Sequence, residues 1–378
     1  MNSTEYLKEL VAFPSVSSES NSAVTDCIED HLKRIGFQTE RIEYTDQRGV
    51  AKSNIVGKLG SGTGGLAYFA HSDVVPADDW SHSDAGPWVP VLTEDRFYAR
   101  GSCDMKGSLS CMLAAAEQHA AQHSDALKAP LYITVTADEE VGYGGAIEVA
   151  ARSKFFDEMV AGDANGIIGE PTTLEVVYAH KGSVAMKATG HGVAAHSSQA
   201  HGVNANLKMI PYLSEMKAMY DEVTGNPEWE HSEYDPSGVS WNIGINDHTH
   251  AVNITPPQSI CTVYFRTMPG MDPEPLIARA QAAAEANGLD FEIIIRGEPM
   301  YADRNGEFIQ DLLKISGRPE AHSVCYGTDA SGFTRLRKLA VYGPGSIEQA
   351  HTVDEWITLE QLDAGEEAYG RLIQAWCL

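Results

Sequence analysis

Apolar residues recur along this chain in two rhythms. Val24, Cys27, Ile28, Leu32 and Ile35 fall at helical spacing over residues 21–35, and Gly36 is placed to end that helix. Short apolar runs follow: NIVGKL at 54–59, LAYFA at 66–70, LYITVTA at 131–137 and GIIG at 166–169. Runs of that length predict buried strands. Between the second and third, Met105, Leu109, Met112, Leu113 and Ala116 share one face of a predicted helix. Short apolar strands alternating with helices predict an α/β fold, a mostly parallel sheet with helices on both faces.

The middle of the chain has another order. From about Ser183 it reads strand (SVAMKATGH), helix (203–223), strand (VSWNIGI), strand (SICTVYFRT), helix (273–287) and strand (FEIIIR). Pro275 near the start of the second helix and Gly288 just past its end are the expected punctuation. The βαββαβ order is the ferredoxin-like split motif, an α+β unit complete in itself. After about Gly297 the first pattern returns, with a helix (FIQDLLKI), the run LAVYGPG and a last helix near 359–376. The predicted organisation is a discontinuous domain over 1–181 and 297–378, interrupted by an inserted domain over 182–296.

Composition narrows the class. With 27 basic and 53 acidic residues the formal charge is −26, which argues against nucleic acid or an anionic membrane surface as partner. No apolar run approaches the roughly 20 residues of a membrane span. The start, MNSTEYLKELVAF, lacks the basic beginning and apolar stretch of a secretory signal, so a soluble, cytoplasmic protein is expected. None of the six cysteines is spaced CxxC, which argues against a cysteine-built zinc site.

Candidate chemistry gathers at the predicted strand ends. His71 and Asp73 follow LAYFA, Asp138, Glu139 and Glu140 follow LYITVTA, Glu170 follows GIIG, and His351 comes shortly after LAVYGPG. Asp104 stands in the glycine-flanked loop RGSCDMKG before a helix. Taken singly, each is an ordinary loop residue or, for Asp104, a helix N-cap. Together they sit where open α/β sheets bind ligands, outside the carboxyl ends of the strands. Two histidines with several carboxylates suit zinc, with manganese or cobalt as substitutes. One carboxylate can bridge two metals, and Asp104 is the candidate.

The segments HSDVVP, RGSCDMKG, DEEVG, IIGEPT, AHSS and PGSIEQAH occur in the order found in the dinuclear zinc metallohydrolase family of aminoacylases, glutamate carboxypeptidases and succinyl-diaminopimelate desuccinylases, which the chain resembles over nearly its whole length. IIGEPTTLEVVYAHKG and GPGSIEQAH resemble the acetylornithine deacetylase subgroup most closely. The resemblance implies two zinc ions, one held by His71 and Glu170, the other by Glu140 and His351, with Asp104 between them. It implies that Asp73 orients the His71 imidazole, that Glu139 is the general base, and that His196 stabilises the oxyanion from the partner subunit of a homodimer formed through the inserted domain. It further implies that Arg266 binds the substrate α-carboxylate. Asn253 is expected to assist Arg266, and Asp329 to meet a cationic side chain such as that of ornithine. The implied reaction is deacylation of a small N-acyl-L-amino acid, N-acetyl-L-ornithine in arginine biosynthesis; desuccinylase, general aminoacylase and small-peptidase activities are the alternatives. Two departures stand out: Cys103 beside Asp104, and VCYGTDAS at 324–331, which bears on side-chain preference. His180 and Lys181 are read as marking the hinge between the domains.

Overall fold

Buried from end to end, the runs Leu66–His71 and Leu131–Thr136 must have neighbours on both edges and both faces. The computed structural model, which describes residues 1–84, 86–122 and 127–378, supplies them. In a nine-stranded sheet the order along the main path is Gln38–Thr45, Ala51–Leu59, Leu131–Thr136, Leu66–His71, Asn165–Ile168, Leu339–Val341, Val176–His180 and Met300–Tyr301. The four central strands, from Leu131–Thr136 to Leu339–Val341, are parallel, whereas the pairings just outside them are antiparallel. The hairpin strand Gln38–Thr45 does not announce itself in the sequence, because only Ile42 of QTERIEYT is buried.

Helices cover this sheet according to their patterns. Ser22–Ile35 buries Val24, Ile28 and Leu32 at four-residue spacing, and Gly36 ends it at φ +110° with its N–H on the Leu32 carbonyl. Lys106–Gln122 buries every residue from Lys106 to Ala116, as expected of an interior helix. It packs against Ser3–Val11 and Leu359–Cys377. A small three-stranded sheet, Trp356–Thr358, Arg96–Tyr98 and Val91–Leu92, escapes prediction because its strands are two or three residues long.

The chain divides into two units: Met1–Ala179 with Met300–Ser323 and Thr328–Leu378, and His180–Pro299 with Val324–Gly327. The second holds a four-stranded antiparallel sheet in the order Trp241–Asn246, Gln258–Phe265, Ser183–His191, Asp290–Gly297. Along Gln258–Phe265, burial alternates strictly, with Ser259, Cys261, Val263 and Phe265 inward. That is the pattern of a sheet with one face covered, here by Ala205–Val223. With the second helix, Glu274–Ala286, the order is βαββαβ. The fold is thus an α/β sheet domain carrying an inserted antiparallel α+β domain. Among the described residues no helix is long and apolar enough to cross a membrane, and all six cysteines are free thiols.

Candidate metal centre

Each of the four parallel central strands ends in a loop that carries candidate ligands. His71 is the last residue of its strand, Glu139 and Glu140 follow Thr136, Glu170 follows Ile168, and His351 lies beyond Val341. Parallel strands all end on the same edge, so residues distant in sequence converge. Close packing sets the Glu170 loop: a Cβ on Gly169 would come within 2.3 Å of the Tyr68 hydroxyl and 2.4 Å of Ser108 Oγ. Glycine is therefore required there.

Two groups of potential ligands result, and they share one residue. His71, Asp104 and Glu170 bring ligand atoms within 4.8 Å of one another, and so do Asp104, Glu140 and His351. His71 Nε2 lies 3.0 Å from Asp104 Oδ1 and 3.5 Å from Glu170 Oε1. His351 Nε2 lies 3.3 Å from Asp104 Oδ2 and 3.0 Å from Glu140 Oε2. Asp104 thus turns one carboxylate oxygen to each histidine.

Asp73 meets the His71 ring through its backbone. His71 Nδ1 is 2.8 Å from the Asp73 main-chain carbonyl, its hydrogen-bond partner, and 3.6 Å from the carboxylate. The backbone therefore orients the ring. The Asp73 carboxylate accepts from Ser17 Oγ at 2.7 Å and from the N–H groups of Glu139 and Glu140 at 3.2 and 3.4 Å. It ties the histidine loop to the acidic loop. That acidic loop is held from its other side by Asp138, at φ +59°, which pairs with buried Lys52 at 2.7 Å and accepts from Tyr44 at 2.7 Å. Ser17, Tyr44 and Lys52 were not singled out in the sequence, since nothing in their local pattern marks a supporting role.

The electrostatics are those of a site short of positive charge. Burial, then Asp104, pushes the Glu140 carboxyl up to about 7. Burial raises Glu139 and Glu170 well above the carboxylate range, reinforced by neighbouring acids. Hydrogen bonds to Asp104 and Glu140 push His351 up to about 10. Burial opposes protonation of His71, yet Glu170 and Asp104 raise it well above its ordinary value. Asp104 is held below the carboxylate range because His351 and His71 outweigh its burial. Glu140 Oε1 is buried without a hydrogen-bond partner. Crowded buried carboxylates, an orphaned oxygen and two imidazoles with converging nitrogens fit a pair of divalent cations.

Asp329 is 2% exposed; one carboxyl oxygen accepts from the Thr136 hydroxyl and Oδ1 is buried without a hydrogen-bond partner. Cys103 is buried, with its Sγ donating to the Ser346 carbonyl at 3.2 Å. In the second unit, His196 is exposed and its Nδ1 lies 2.7 Å from Ser198 Oγ. The Asn253 carbonyl accepts from the Ser197 N–H at 2.9 Å, so these two segments are joined. The Arg266 guanidinium stacks 5.0 Å above Tyr264, and its buried Nη1 has no hydrogen-bond partner. His180 and Lys181, read as hinge markers, are both buried, and Lys181 Nζ donates to the carbonyls of Pro236 and Gly238. A third cluster, Glu9, Cys27 and His31, also brings ligand atoms within 4.8 Å of one another. Arg34 Nη2 lies 3.2 Å from His31 Nδ1, and a guanidinium only donates. The ring proton therefore sits on Nε2, facing Glu9 at 2.8 Å.

Comparison with known proteins agrees with this geometry. The sequence profile of peptidase family M20/M25/M40 matches residues 67–375. The chain is 32% identical to an acetylornithine deacetylase of Myxococcus xanthus, across 98% of this chain and 96% of that protein. In fold it is similar to the M20 family metallo-carboxypeptidase Sso-CP2 from Sulfolobus solfataricus, with TM-score 0.80 and 16% identity over 100% of this chain and 99% of the other. It is also similar to a dinuclear metal-binding peptidase of that family from Bacillus subtilis, with TM-score 0.64 and 12% identity over 99% and 97%. The chain therefore belongs to peptidase family M20/M25/M40 and is a metal-dependent amide hydrolase.

Proposed function

We propose that the protein removes the acyl group from a small N-acyl-L-amino acid, with N-acetyl-L-ornithine as the leading substrate, in the cytoplasm and as a step of arginine biosynthesis. The observation that carries the chemistry is the sharing of Asp104 between two ligand groups. The substrate class rests on end-to-end similarity to an acetylornithine deacetylase.

On this reading His71 and Glu170 would hold one zinc ion and Glu140 and His351 the other, with Asp104 available to both; cobalt or manganese would substitute. When bound, such a pair supplies Lewis acidity and makes a water easier to deprotonate. Glu139 takes the proton of the attacking water and returns it to the leaving nitrogen. Burial and the neighbouring acids raise its proton affinity in the cation-free site. Asp73 fixes Glu139 and Glu140 through their N–H groups. Arg266, with a guanidinium nitrogen left unpaired, binds the substrate carboxylate as a bidentate donor, with Asn253 assisting. His196 donates to the developing oxyanion. A homodimer through the inserted domain is supported by Leu207 and Ile245, 66% and 63% exposed, the latter on the sheet's edge strand Trp241–Asn246.

The test is a side-by-side assay of N-acetyl-L-ornithine, N-succinyl-diaminopimelate, other acetylated amino acids and dipeptides on enzyme loaded with zinc. Highest kcat/KM on N-acetyl-L-ornithine is expected. Preference for the succinyl compound or for peptides would overturn the substrate assignment and leave the hydrolase class standing.

A further inference from the structure

Asp104 lies in a loop without regular structure, yet a shared carboxylate must present both oxygens in a fixed direction. Something has to hold that loop, and one buried side chain gathers its donors. Glu355 is 1% exposed. Its Oε1 accepts from the N–H groups of Cys103 at 2.7 Å and Asp104 at 3.0 Å. Its Oε2 accepts from the Gly101 N–H at 2.8 Å and from Arg100 Nη1 at 3.0 Å. The Glu355 main-chain carbonyl also accepts from the Ala99 N–H.

We infer that Glu355 is a positioning residue that sets the orientation of Asp104 and its distance from His351. This inference rests on the proposed two-cation site. Four donors use the roughly four lone-pair sites of a carboxylate, so Glu355 has no capacity left to be a ligand itself. Successive backbone N–H groups turned toward one point form an anion-binding concavity, and here the chain fills it with its own carboxylate. Arg100, also buried, balances the charge, so that Glu355 adds little net negative potential to an acidic site. Glu355 follows His351 by four residues. One side chain therefore fastens the segment carrying His351 to the loop carrying Asp104, and the two reacting ends stay 3.3 Å apart. Ligand-supporting groups of this kind change metal affinity by about 10- to 100-fold when removed.

The test is Glu355→Gln. The amide keeps the shape but turns an NH₂ group toward backbone donors that need an acceptor. Zinc affinity of the metal-free protein is measured for each equivalent by competition with a chromophoric chelator, alongside thermal unfolding of the metal-free form. A cobalt-loaded sample reports coupling between the two ions by magnetic resonance. The expected result is a loss of about 10- to 100-fold in both equivalents, because Asp104 serves both, with weakened spin coupling. A purely structural role predicts lowered thermal stability with both affinities unchanged, and that outcome overturns the inference. If Glu355→Gln does not fold, Glu355→Asp, which keeps the charge opposite Arg100 but falls one methylene short of the Cys103 and Asp104 N–H groups, carries the same expectation. If neither folds, the residue is structural and the inference fails. Wild-type protein binding fewer than two ions would instead sink the two-cation reading, so the two failures are distinguishable.

Discussion

Loading the metal-free protein with zinc should expel protons, and the number follows from the site. A histidine ligand must be neutral and a carboxylate ligand ionised. In the cation-free site His351 is pushed up to about 10 and His71 is raised well above its ordinary value, so at pH 7.5 both carry a proton. Two histidines set a floor of about two protons released. Glu140, pushed up to about 7, and Glu170, raised well above its ordinary value, add to that floor as the pH falls. The sign is fixed: the metal-free state holds protons that the metal-bound state cannot, so binding tightens as pH rises. Each proton contributes about 1.4 kcal/mol per pH unit, so two give about 2.7 kcal/mol, or about 100-fold in apparent affinity per unit. Isothermal titration in two buffers of different ionisation enthalpy at pH 7.5 measures the count directly. Zinc binding whose heat does not depend on the buffer would refute the reasoning, because it would mean that the histidines are neutral beforehand or are not ligands.

Glu139→Gln should keep both ions and lose about 10²- to 10⁴-fold in kcat, the usual worth of a general base; ordinary turnover in that variant would place the base elsewhere. Arg266→Met is expected to raise KM far more than it lowers kcat, measured on a substrate with a free α-carboxylate. Gly169→Ala should lower unfolding stability by about 1–3 kcal/mol in denaturant titration, since its Cβ meets Tyr68 and Ser108, whereas Gly238→Ala, with open space around it, should not. Burial depresses His180 to about 4, so the folded state binds its proton less tightly than the unfolded state does. That contribution is intact above about pH 6.5 and is lost as pH falls toward 4, about 3 kcal/mol in all. A His180→Phe variant should lack this slope in unfolding measured against pH.

Much of the site was legible because a parallel sheet imposes a rule that sequence alone can apply. LAYFA, LYITVTA and GIIG are predominantly apolar, so they are interior strands, and the first charged residues after them lie on the ligand-binding edge. His71, Glu140 and Glu170 follow from that. What was not legible depends on backbone groups. Glu355 stands in HTVDEWI, a polar stretch with no periodic signal, and its importance lies in N–H groups about 250 residues away in sequence. Asp73 was expected to orient the His71 imidazole; the atom that meets the ring is its main-chain carbonyl, which no residue pattern reveals.

The central claim is that one carboxylate, Asp104, joins two cation sites. Anomalous diffraction from a zinc-loaded crystal, recorded on either side of the zinc absorption edge, tests it most directly. The account predicts two peaks about 3.5–4 Å apart, one beside His71 and Glu170, the other beside Glu140 and His351, with an Asp104 oxygen on each. A single peak, or two peaks of which either lacks contact with Asp104, would contradict it.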